Sequence, residues 1–210
     1  MNYFRSHRWV SWLSKQLIWS LPAGEGKVYL TFDDGPDPEV TPWVMEVLGE
    51  KGIKASFFCV GANIERYPSV FEQLKEQGHL VANHSYNHEK GWRTDASAYV
   101  KSVDQCERLI GNRIFRPPYG KITSTQIKLL KQRYTIVMWS LLSMDYDQKK
   151  DPNRLLSSLS KKVKAGDIIV FHDSQKAKKN LQKILPQFID VAHSKGLKFE
   201  LLPTELVTKT

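Results

Sequence analysis

The sequence predicts an α/β fold built on parallel strands. Short apolar runs alternate along the chain with longer stretches in which apolar side chains recur every three or four residues, which is typical of strands alternating with amphipathic helices. In addition, groups of polar residues follow successive apolar runs, as functional side chains follow the strands of α/β barrels. The two observations together indicate an α/β domain with a site at the carboxyl ends of its strands.

The expected elements can be placed in chain order. We predict strands over residues 27–32, 54–60, 79–83, 113–116, 135–139, 167–171 and 197–202. We predict helices over residues 41–51, 68–77, 95–111, 123–133, 152–163 and 177–195. Glycine follows most of these helices, and its freedom at positive φ suits the position after a helix.

The first 24 residues stand apart from this alternation. They are rich in tryptophan and carry basic side chains, but polar residues interrupt each apolar run, so they form neither a clean signal-peptide core nor a membrane span. We predict that residues 1–24 are a helical extension and that residues 25–210 are a single domain. A short helix that closes the bottom of the barrel is favoured over peripheral attachment to a membrane. A cytoplasmic and a peripheral membrane location both stay open.

The segment TFDDGP, residues 31–36, places two adjacent carboxylates at the end of a predicted strand. Because side chains alternate along a strand, Asp33 and Asp34 should point in different directions. One carboxylate can then bind a metal ion while the other faces a reacting water molecule. Asp, Gly and Pro also favour turns for backbone reasons, so the segment alone fits a simple turn equally well.

Two histidines four residues apart, His84 and His88, favour the chemical interpretation. Residues at i and i+4 share one face of a helical turn, so both rings should reach one ion. Two histidines and a carboxylate are a known composition for a zinc site that leaves a coordination position for water. Asp34 with these two histidines would make that set. Without the aspartates, a pair of solvated helix histidines would be the better interpretation.

Three further polar segments follow apolar runs in the same way. They are RPPYG at 116–120, the segment 139–146 and VFHD at 170–173. Taken singly, RPPYG fits a rigid loop, because proline fixes φ and restricts the residue before it. His172 taken singly fits a hydrogen-bonded histidine at a strand end. The ordered set is far more specific than any of its members.

With this ordered set, the chain resembles the NodB-type polysaccharide deacetylases of carbohydrate esterase family 4. The matching motifs are TFDDGP at 31–36, H-S-x-x-H at 84–88, R-P-P-Y-G at 116–120, W-x5-D at 139–145 and V-F-H at 170–172. The resemblance spans roughly residues 27–202. It implies a distorted (β/α)7-type barrel, the NodB homology domain. It also implies a divalent metal ion, usually zinc, with cobalt or manganese as alternatives.

The resemblance further implies a ligand set and an acid–base pair. Asp34, His84 and His88 match the metal ligands. Asp33 matches the general base, and His172 matches the general acid. Such a set suits amide hydrolysis, because a metal-bound water gives up its proton to a carboxylate near neutral pH. An imidazole can then protonate the leaving amine.

Other matching residues are implied to assist. Arg116 matches the residue that holds the base in its charged form, and Asp145 matches the carboxylate that orients the acid. Tyr119 matches the source of a backbone N–H for the developing oxyanion. The residues implied to bind substrate are Tyr119, Tyr146, Val170 and Trp139.

The chain departs from the family pattern in its last two motifs. The fourth motif commonly reads D-x-x-D-W, whereas those positions are here Leu142, Asp145 and Tyr146. The fifth commonly begins with Leu, whereas here it begins with Val170. The carboxylate expected to orient the acid is kept. The changes affect the first acidic position and the apolar lining expected around the acetyl methyl group.

Length and charge agree with a single domain that has anionic partners. The chain has 210 residues, a net charge of +9 and a pI near 9.4, which favours cell-wall glycan, lipopolysaccharide or a membrane surface. Its lysines are dispersed over predicted outer helices and it carries no recognised nucleic-acid-binding motif, so a solvated face explains them better and we expect no nucleic acid partner. Cys59 and Cys106 are too few for a disulfide scaffold and leave the redox compartment open.

The sequence therefore predicts a metal-dependent N-deacetylase that acts on the acetamido groups of a hexosamine-containing glycan, of the chitin or peptidoglycan kind. A catalytically weak glycan-binding protein that kept the barrel is one alternative. The intact Asp33, Arg116 and His172 argue against it. An amidohydrolase of small acetamido substrates that are not sugars, on the same scaffold, is the second alternative.

Overall fold

The computed structural model describes residues 17–204, in which parallel strands alternate with helices. The strands are β1 (Lys27–Asp33), β2 (Ser56–Cys59), β3 (Leu80–Asn83), β4 (Ile114–Phe115), β5 (Thr135–Ile136), β6 (Leu141–Leu142), β7 (Ile168–His172) and β8 (Lys198–Phe199). The helices are α1 (Val40–Glu50), α2 (Gly61–Arg66), α3 (Pro68–Glu76), α4 (Ala96–Ile110), α5 (Ser124–Leu130), α6 (Pro152–Lys162) and α7 (Lys178–Ser194). The predicted alternation is confirmed.

The strands form one curled parallel sheet. Their order is β5–β4–β3–β2–β1–β7–β6, and β8 pairs with the start of β1. Parallel neighbours need crossover connections, which the helices provide here. Between residues 17 and 204 the two end strands, β5 and β6, do not pair with each other, so the sheet stays open on that side. This open, curled sheet is the distorted barrel that the sequence predicts.

Strand β1 separates the core from the site through the alternation of its side chains. Leu30 and Phe32 pack in the hydrophobic core shared with the helices, where the ring centroids of Phe32 and Phe57 lie 4.9 Å apart. Thr31 and Asp33 point to the opposite face, into the barrel. The core therefore fixes the backbone that carries the first site carboxylate.

The segment that precedes β1 lies along the open side of the barrel. Ile18 pairs with Val137 in a parallel bridge, and Ser20 pairs with Asp167 in an antiparallel bridge. The backbone N–H of Met138 also donates to the Ile18 carbonyl. The described end of the predicted helical extension is thus extended rather than helical, because the sheet edge offers it hydrogen-bond partners.

The remaining residues of that extension, 1–16, lie outside the described part of the chain, as does the membrane contact expected from them. Within residues 17–204, no helix combines the length and the apolar character needed to cross a bilayer. Cys59 and Cys106 are both buried and are not joined by a disulfide. Cys59 packs in the core as a small apolar residue would.

Several elements differ from the prediction, and the strand predicted over 197–202 is reduced to the two residues of β8. The strand predicted over 135–139 ends at Ile136, because the carbonyls of Val137 and Met138 accept hydrogen bonds from the Arg116 guanidinium instead of a strand. The chain then forms β6, whose two residues pair with β7. Helix α2 was also missed, because six residues that begin with glycine give little helical pattern.

Candidate active site

All the predicted motifs meet at the carboxyl ends of the strands, around one cleft. The residues that line the cleft are Asp33, Asp34, His84, His88, Tyr119, Trp139, Leu142, Tyr146, Val170, His172 and Lys176. The two remaining predicted site residues, Arg116 and Asp145, are completely buried behind this lining. Every predicted site residue is therefore part of one constellation.

Strands β1 and β7 place two of these residues side by side. Asp33 is the register partner of His172, and Thr31 is the register partner of Val170. Paired residues of neighbouring parallel strands point to the same face of a sheet, so both pairs face the barrel interior. The predicted base and the predicted acid are thus neighbours across a strand pair, although 139 positions separate them in the sequence.

The buried Arg116 guanidinium binds the Asp33 carboxylate on the side away from the cleft. Its Nη1 donates to Asp33 Oδ1 at 2.6 Å and to Thr31 Oγ1 at 2.8 Å. Its Nε and Nη2 donate to the carbonyls of Val137 and Met138 at 3.3 and 3.0 Å. Burial lowers the pKa of Arg116, while the charge of Asp33 opposes that shift. A guanidinium with four fixed acceptors stays charged and keeps the Asp33 carboxylate in one orientation.

Asp34, His84 and His88 form a compact donor cluster. One ligand atom from each residue lies within 4.8 Å of the others. Asp34 Oδ1 is 3.0 Å from His88 Nε2 and 3.7 Å from His84 Nε2. Burial would raise the pKa of Asp34, but a hydrogen bond from His88 and the neighbouring imidazoles hold it well below its usual range. The Asp34 carboxylate is therefore ionised near neutral pH.

The tautomer of His84 also suits a cation. Its Nδ1 lies 2.8 Å from the carbonyl oxygen of Arg116, so Nδ1 carries the proton and Nε2 presents a lone pair toward Asp34. Burial lowers the pKa of His84 to about 4, although Asp33 and Asp34 oppose the shift. The ring is then neutral, which is the form that binds a metal. The donor set fits a divalent cation.

The two histidines do not lie on a helical turn, so that prediction is wrong. Residues 84–88 form a loop in which Ser85 and His88 have left-handed backbones, with φ of 61° and 58°. Asn83 Oδ1 accepts the Ser85 N–H at 2.8 Å and fastens the start of this loop. The left-handed residues bring the ring centroids of His84 and His88 to 5.1 Å, which a helix was expected to do.

Asp173 supports the aspartate motif from behind and was not predicted as a site residue. Its Oδ1 accepts the Gly35 N–H at 3.2 Å, and its Oδ2 accepts the Thr41 hydroxyl at 2.6 Å. A Cβ atom at Gly35 would lie 2.0 Å from Oδ2, so only glycine permits this contact. Burial raises the pKa of Asp173 well above its ordinary value, although Thr41 opposes the shift. Its partners are more than 130 positions away in the sequence, and no local pattern shows them.

His172 is held by Asp145. His172 Nδ1 lies 2.7 Å from Asp145 Oδ1, and the His172 backbone N–H donates to Oδ2 at 2.8 Å. Ser143 Oγ donates to the same carboxylate at 2.7 Å. Burial would lower the pKa of His172, but the charge and hydrogen bond of Asp145, together with more distant carboxylates, raise it to about 9. The ring is then protonated near neutral pH, and its Nε2 is the nitrogen left for the cleft.

Aromatic residues form two flanks of the cleft. The Tyr146 ring meets the His172 ring edge-on with the centroids 5.0 Å apart. Tyr119, which has a left-handed backbone, places its ring centroid 4.6 Å from that of His88. Lys176 is a further lining residue that the sequence did not single out. Its ammonium lies over the Tyr146 ring, 5.3 Å from the centroid.

The parallel α/β barrel carries a carboxylate–imidazole cluster beside Asp33, which is bound by Arg116, and His172, which is bound by Asp145. This combination is typical of a hydrolase active site. The family model for polysaccharide deacetylase matches residues 21–135. The chain belongs to the polysaccharide deacetylase family, carbohydrate esterase family 4. The family, the fold and the enzyme class predicted from the motifs are confirmed.

Relatives with known names agree with this assignment. The chain is 31% identical to a peptidoglycan-N-acetylglucosamine deacetylase of Bacillus cereus, across 94% of this chain and 75% of the relative. It is 34% identical to a chitooligosaccharide deacetylase of Azorhizobium caulinodans, across 71% of this chain and 74% of the relative. A solved peptidoglycan N-acetylglucosamine deacetylase superposes with a TM-score of 0.80 at 30% identity, over 92% of this chain and 94% of the other.

Proposed function

We propose that this protein is a metal-dependent hydrolase that removes N-acetyl groups from a hexosamine-containing glycan of the chitin or peptidoglycan kind. The convergence of three groups in a single cleft carries the proposal. They are a carboxylate–imidazole cluster, a carboxylate held by a buried arginine and an imidazole held by a buried carboxylate. The similarity to peptidoglycan and chitooligosaccharide deacetylases supports the substrate class.

Asp34, His84 and His88 would hold the metal. When bound, a divalent cation such as zinc, cobalt or manganese would lower the pKa of a water molecule and polarise the acetyl carbonyl. The three residues offer an ionised carboxylate and imidazole nitrogens, the donor types that such ions take. The remaining steps fall to residues of the chain itself.

Asp33 would act as the general base. It stands on the cleft wall beside the donor cluster, and the Arg116 guanidinium fixes the orientation of its carboxylate. Asp33 takes a proton from the attacking water while the water oxygen bonds to the acetyl carbon. Arg116 carries a permanent charge, so it stabilises the carboxylate without competing for that proton.

His172 would act as the general acid. Its Nδ1 stays bound to Asp145, which leaves Nε2 to give its proton to the amide nitrogen as the C–N bond breaks. The products are acetate and a free amine on the sugar. With a pKa raised to about 9, the imidazole keeps this proton until the amine leaves. The Tyr119 backbone N–H would donate to the oxyanion that develops on the former carbonyl oxygen.

The acetyl methyl group would lie against the side of the cleft formed by Leu142, Tyr146 and Val170. Trp139 lines the same cleft and offers a further apolar surface to the sugar. Leu142 and Tyr146 stand where the family pattern commonly has Asp and Trp, so the pocket should be roomier and differently polar than the usual one.

The proposal is tested by measuring acetate release from metal-supplied protein. The substrates are chitin oligomers, peptidoglycan, acetylated xylan and small acetamides, and the matched controls are Asp33→Asn and His172→Ala. We expect release from the hexosamine glycans, and loss of that release in both variants. Binding of glycan without release would favour the glycan-binding alternative. Preferred cleavage of small acetamides would favour the amidohydrolase alternative.

A further inference from the structure

Three lysines that line the cleft or lie near its lining residue Tyr119 in space or in sequence contact aromatic rings instead of carboxylates. Lys176 lines the cleft itself and lies over Tyr146. Lys90 Nζ lies 4.9 Å from the ring centroid of Tyr119, which lines the cleft beside the donor cluster. Lys121 Nζ lies 5.1 Å from the ring centroid of Trp92. Aromatic rings thus hold all three ammonium groups.

These ammonium groups lack acidic partners. Within residues 17–204, no salt bridge involves any of the three, whereas other surface lysines do pair with acids, such as Lys51 with Asp190 and Lys178 with Glu39. Stacking on a ring holds an ammonium in place but does not neutralise it. Ammonium groups without a salt-bridge partner are therefore positioned on the cleft at Lys176, and beside its lining residue Tyr119 at Lys90, which lies over that ring, and at Lys121, two positions further along the chain.

Two of the aromatic partners, Trp92 and Tyr119, are exposed. Their exposed fractions are 65% and 52%, and Leu129 is the other exposed large apolar side chain in the described residues. The Trp92 indole N–H donates to the Ile122 carbonyl at 3.1 Å. Gly91 packs so closely on Lys121 that a Cβ would lie 2.3 Å from its carbonyl oxygen. The Trp92 ring thus stands at the surface on a firmly docked segment.

We propose that Lys90, Lys121 and Lys176 select a glycan that carries carboxylate groups close to the sugar that is deacetylated. Trp92 and Tyr119 would stack on the apolar faces of neighbouring sugar rings. This inference rests on the proposed function and specifies its substrate. A neutral, chitin-like chain gives these ammonium groups nothing to bind, whereas a carboxylate next to each stacked sugar supplies the missing counter-charge.

The carboxylate can come from two sources, an acidic sugar in the chain or a peptide attached to the sugar. Both offer the same chemistry to a lysine, so the experiment uses both. The first substrate pair is a glycan strand with acidic alternate sugars and the same strand with its carboxyl groups converted to amides. The second pair is the acidic strand with and without attached peptide.

The measurement is kcat/KM for acetate release by metal-supplied protein. Because exposed ion pairs are weak, we expect each of Lys90→Gln, Lys121→Gln and Lys176→Gln to reduce the preference for the acidic strand by about 2- to 3-fold. The triple variant should bring the ratio of acidic to amidated strand close to one. High salt should reduce the wild-type ratio in the same direction, since it screens exposed charge.

Lys161→Gln is the matched control. Lys161 is exposed on α6, beside Arg154 and outside the cleft, so removing its charge should leave the ratio unchanged. Trp92→Ala should raise KM for both strands, because it removes a stacking surface, and it should reduce the preference for the acidic strand by no more than Lys121→Gln does, because Lys121 keeps its charge but loses the ring that holds it. A loss of preference in Lys161→Gln equal to that in the three lysine variants, or a larger loss in Trp92→Ala than in Lys121→Gln, would overturn the assignment to the three lysines.

The inference would also be overturned if wild-type kcat/KM at low salt were equal for the acidic and the amidated strand. It would equally be overturned if the triple variant kept the wild-type ratio of the two values. Failure of the proposed function looks different, since no glycan would then release acetate. In that event, the affinities of the acidic and the amidated strand are measured by calorimetry. The proteins are Asp33→Asn alone and Asp33→Asn combined with the three lysine substitutions, and the comparison still decides the lysine assignment. Tighter binding of the acidic strand that disappears with the lysines would support it.

Discussion

Asp33 with Arg116 and Asp145 with His172 are two carboxylate–cation pairs that flank one cleft, and they differ in which member faces the substrate. In the first pair the carboxylate lines the cleft and the cation is buried behind it. In the second pair the cation lines the cleft and the carboxylate is buried. The N–O distances are nearly equal, 2.6 and 2.7 Å.

In each pair the nature of the cation decides which group can move a proton. A guanidinium does not lose its proton in the working pH range, so in the first pair only the carboxylate can change charge. An imidazole can lose its proton, and the carboxylate behind it sets the pH at which this happens. In the proposed mechanism, the same kind of contact therefore serves a base on one strand and an acid on the neighbouring strand.

The largest expected effect separates the proposed base, Asp33, from the proposed metal ligands. Asp33→Asn should reduce turnover by about 10²- to 10⁴-fold, the usual contribution of a general base, and should keep the metal. Asp34→Asn and His84→Ala should lose the metal as well, because each removes a donor. Elemental analysis of protein supplied with zinc should find about one ion per chain in the wild type. Metal loss in Asp33→Asn with retention in Asp34→Asn would reverse the two assignments.

The second effect concerns stability and should be specific to the arginine pair. Arg116→Met should lower the free energy of unfolding by about 3 to 5 kcal/mol, because it leaves a buried carboxylate without its partner. Denaturant titration at neutral pH measures this change. The double variant Asp33→Leu with Arg116→Met removes both charges and should lose less than the sum of the two single variants. If the loss in the free energy of unfolding of the double variant equals the sum of the two single losses, Asp33 and Arg116 are not energetically coupled.

The third effect should be confined to the histidine pair. Asp145→Asn removes the charge that raises the pKa of His172, so the basic limb of the kcat/KM profile should move to lower pH by about 1 to 3 units. The value is an apparent one, since nearby groups titrate together. Arg116→Lys serves as the comparison and should leave that limb in place. An unmoved basic limb in Asp145→Asn would leave the carboxylate without its proposed role.

The raised pKa of His172 also predicts how stability depends on pH. Because the folded pKa, about 9, is above the ordinary value of 6.5, the contribution of this pair is complete below pH 6.5 and is lost as the pH rises through 9. Unfolding of chelator-treated wild-type protein at pH values of about 6 and about 10, on either side of this interval, should show the loss. His172→Gln should be less sensitive to pH over the same interval, and equal sensitivity would contradict the assignment.

The smallest expected effect concerns the proposed acyl pocket, which Tyr146 would line next to His172. Tyr146→Trp should improve discrimination for N-acetyl over N-propionyl substrates by about 1 to 3 kcal/mol, the worth of one methylene in an apolar pocket. Leu142→Asp is the matched variant and should change the discrimination less, because Asp145 already supplies a carboxylate. If kcat/KM ratios stay unchanged in Tyr146→Trp, Tyr146 does not bound the acyl group.

The sequence predicts which residues form the site better than it predicts the backbone conformations and distant partners that position them. Each motif follows an apolar run, and apolar runs locate strands, so the positions of Asp33 and His172 could be predicted from local pattern. The left-handed backbones of Ser85 and His88 could not, because neither residue type by itself specifies positive φ. Asp173 and Lys176 were missed since their partners lie in distant segments, and only folding brings these together.

The extended segment beside the open edge of the barrel affects how far the chain can be shortened. Ile18 accepts a hydrogen bond from Met138, whose carbonyl in turn accepts one from the Arg116 guanidinium. A truncated protein that starts at residue 25, where the predicted domain begins, would lose this chain of contacts to the arginine that holds Asp33. A minimal active fragment should therefore retain Ile18.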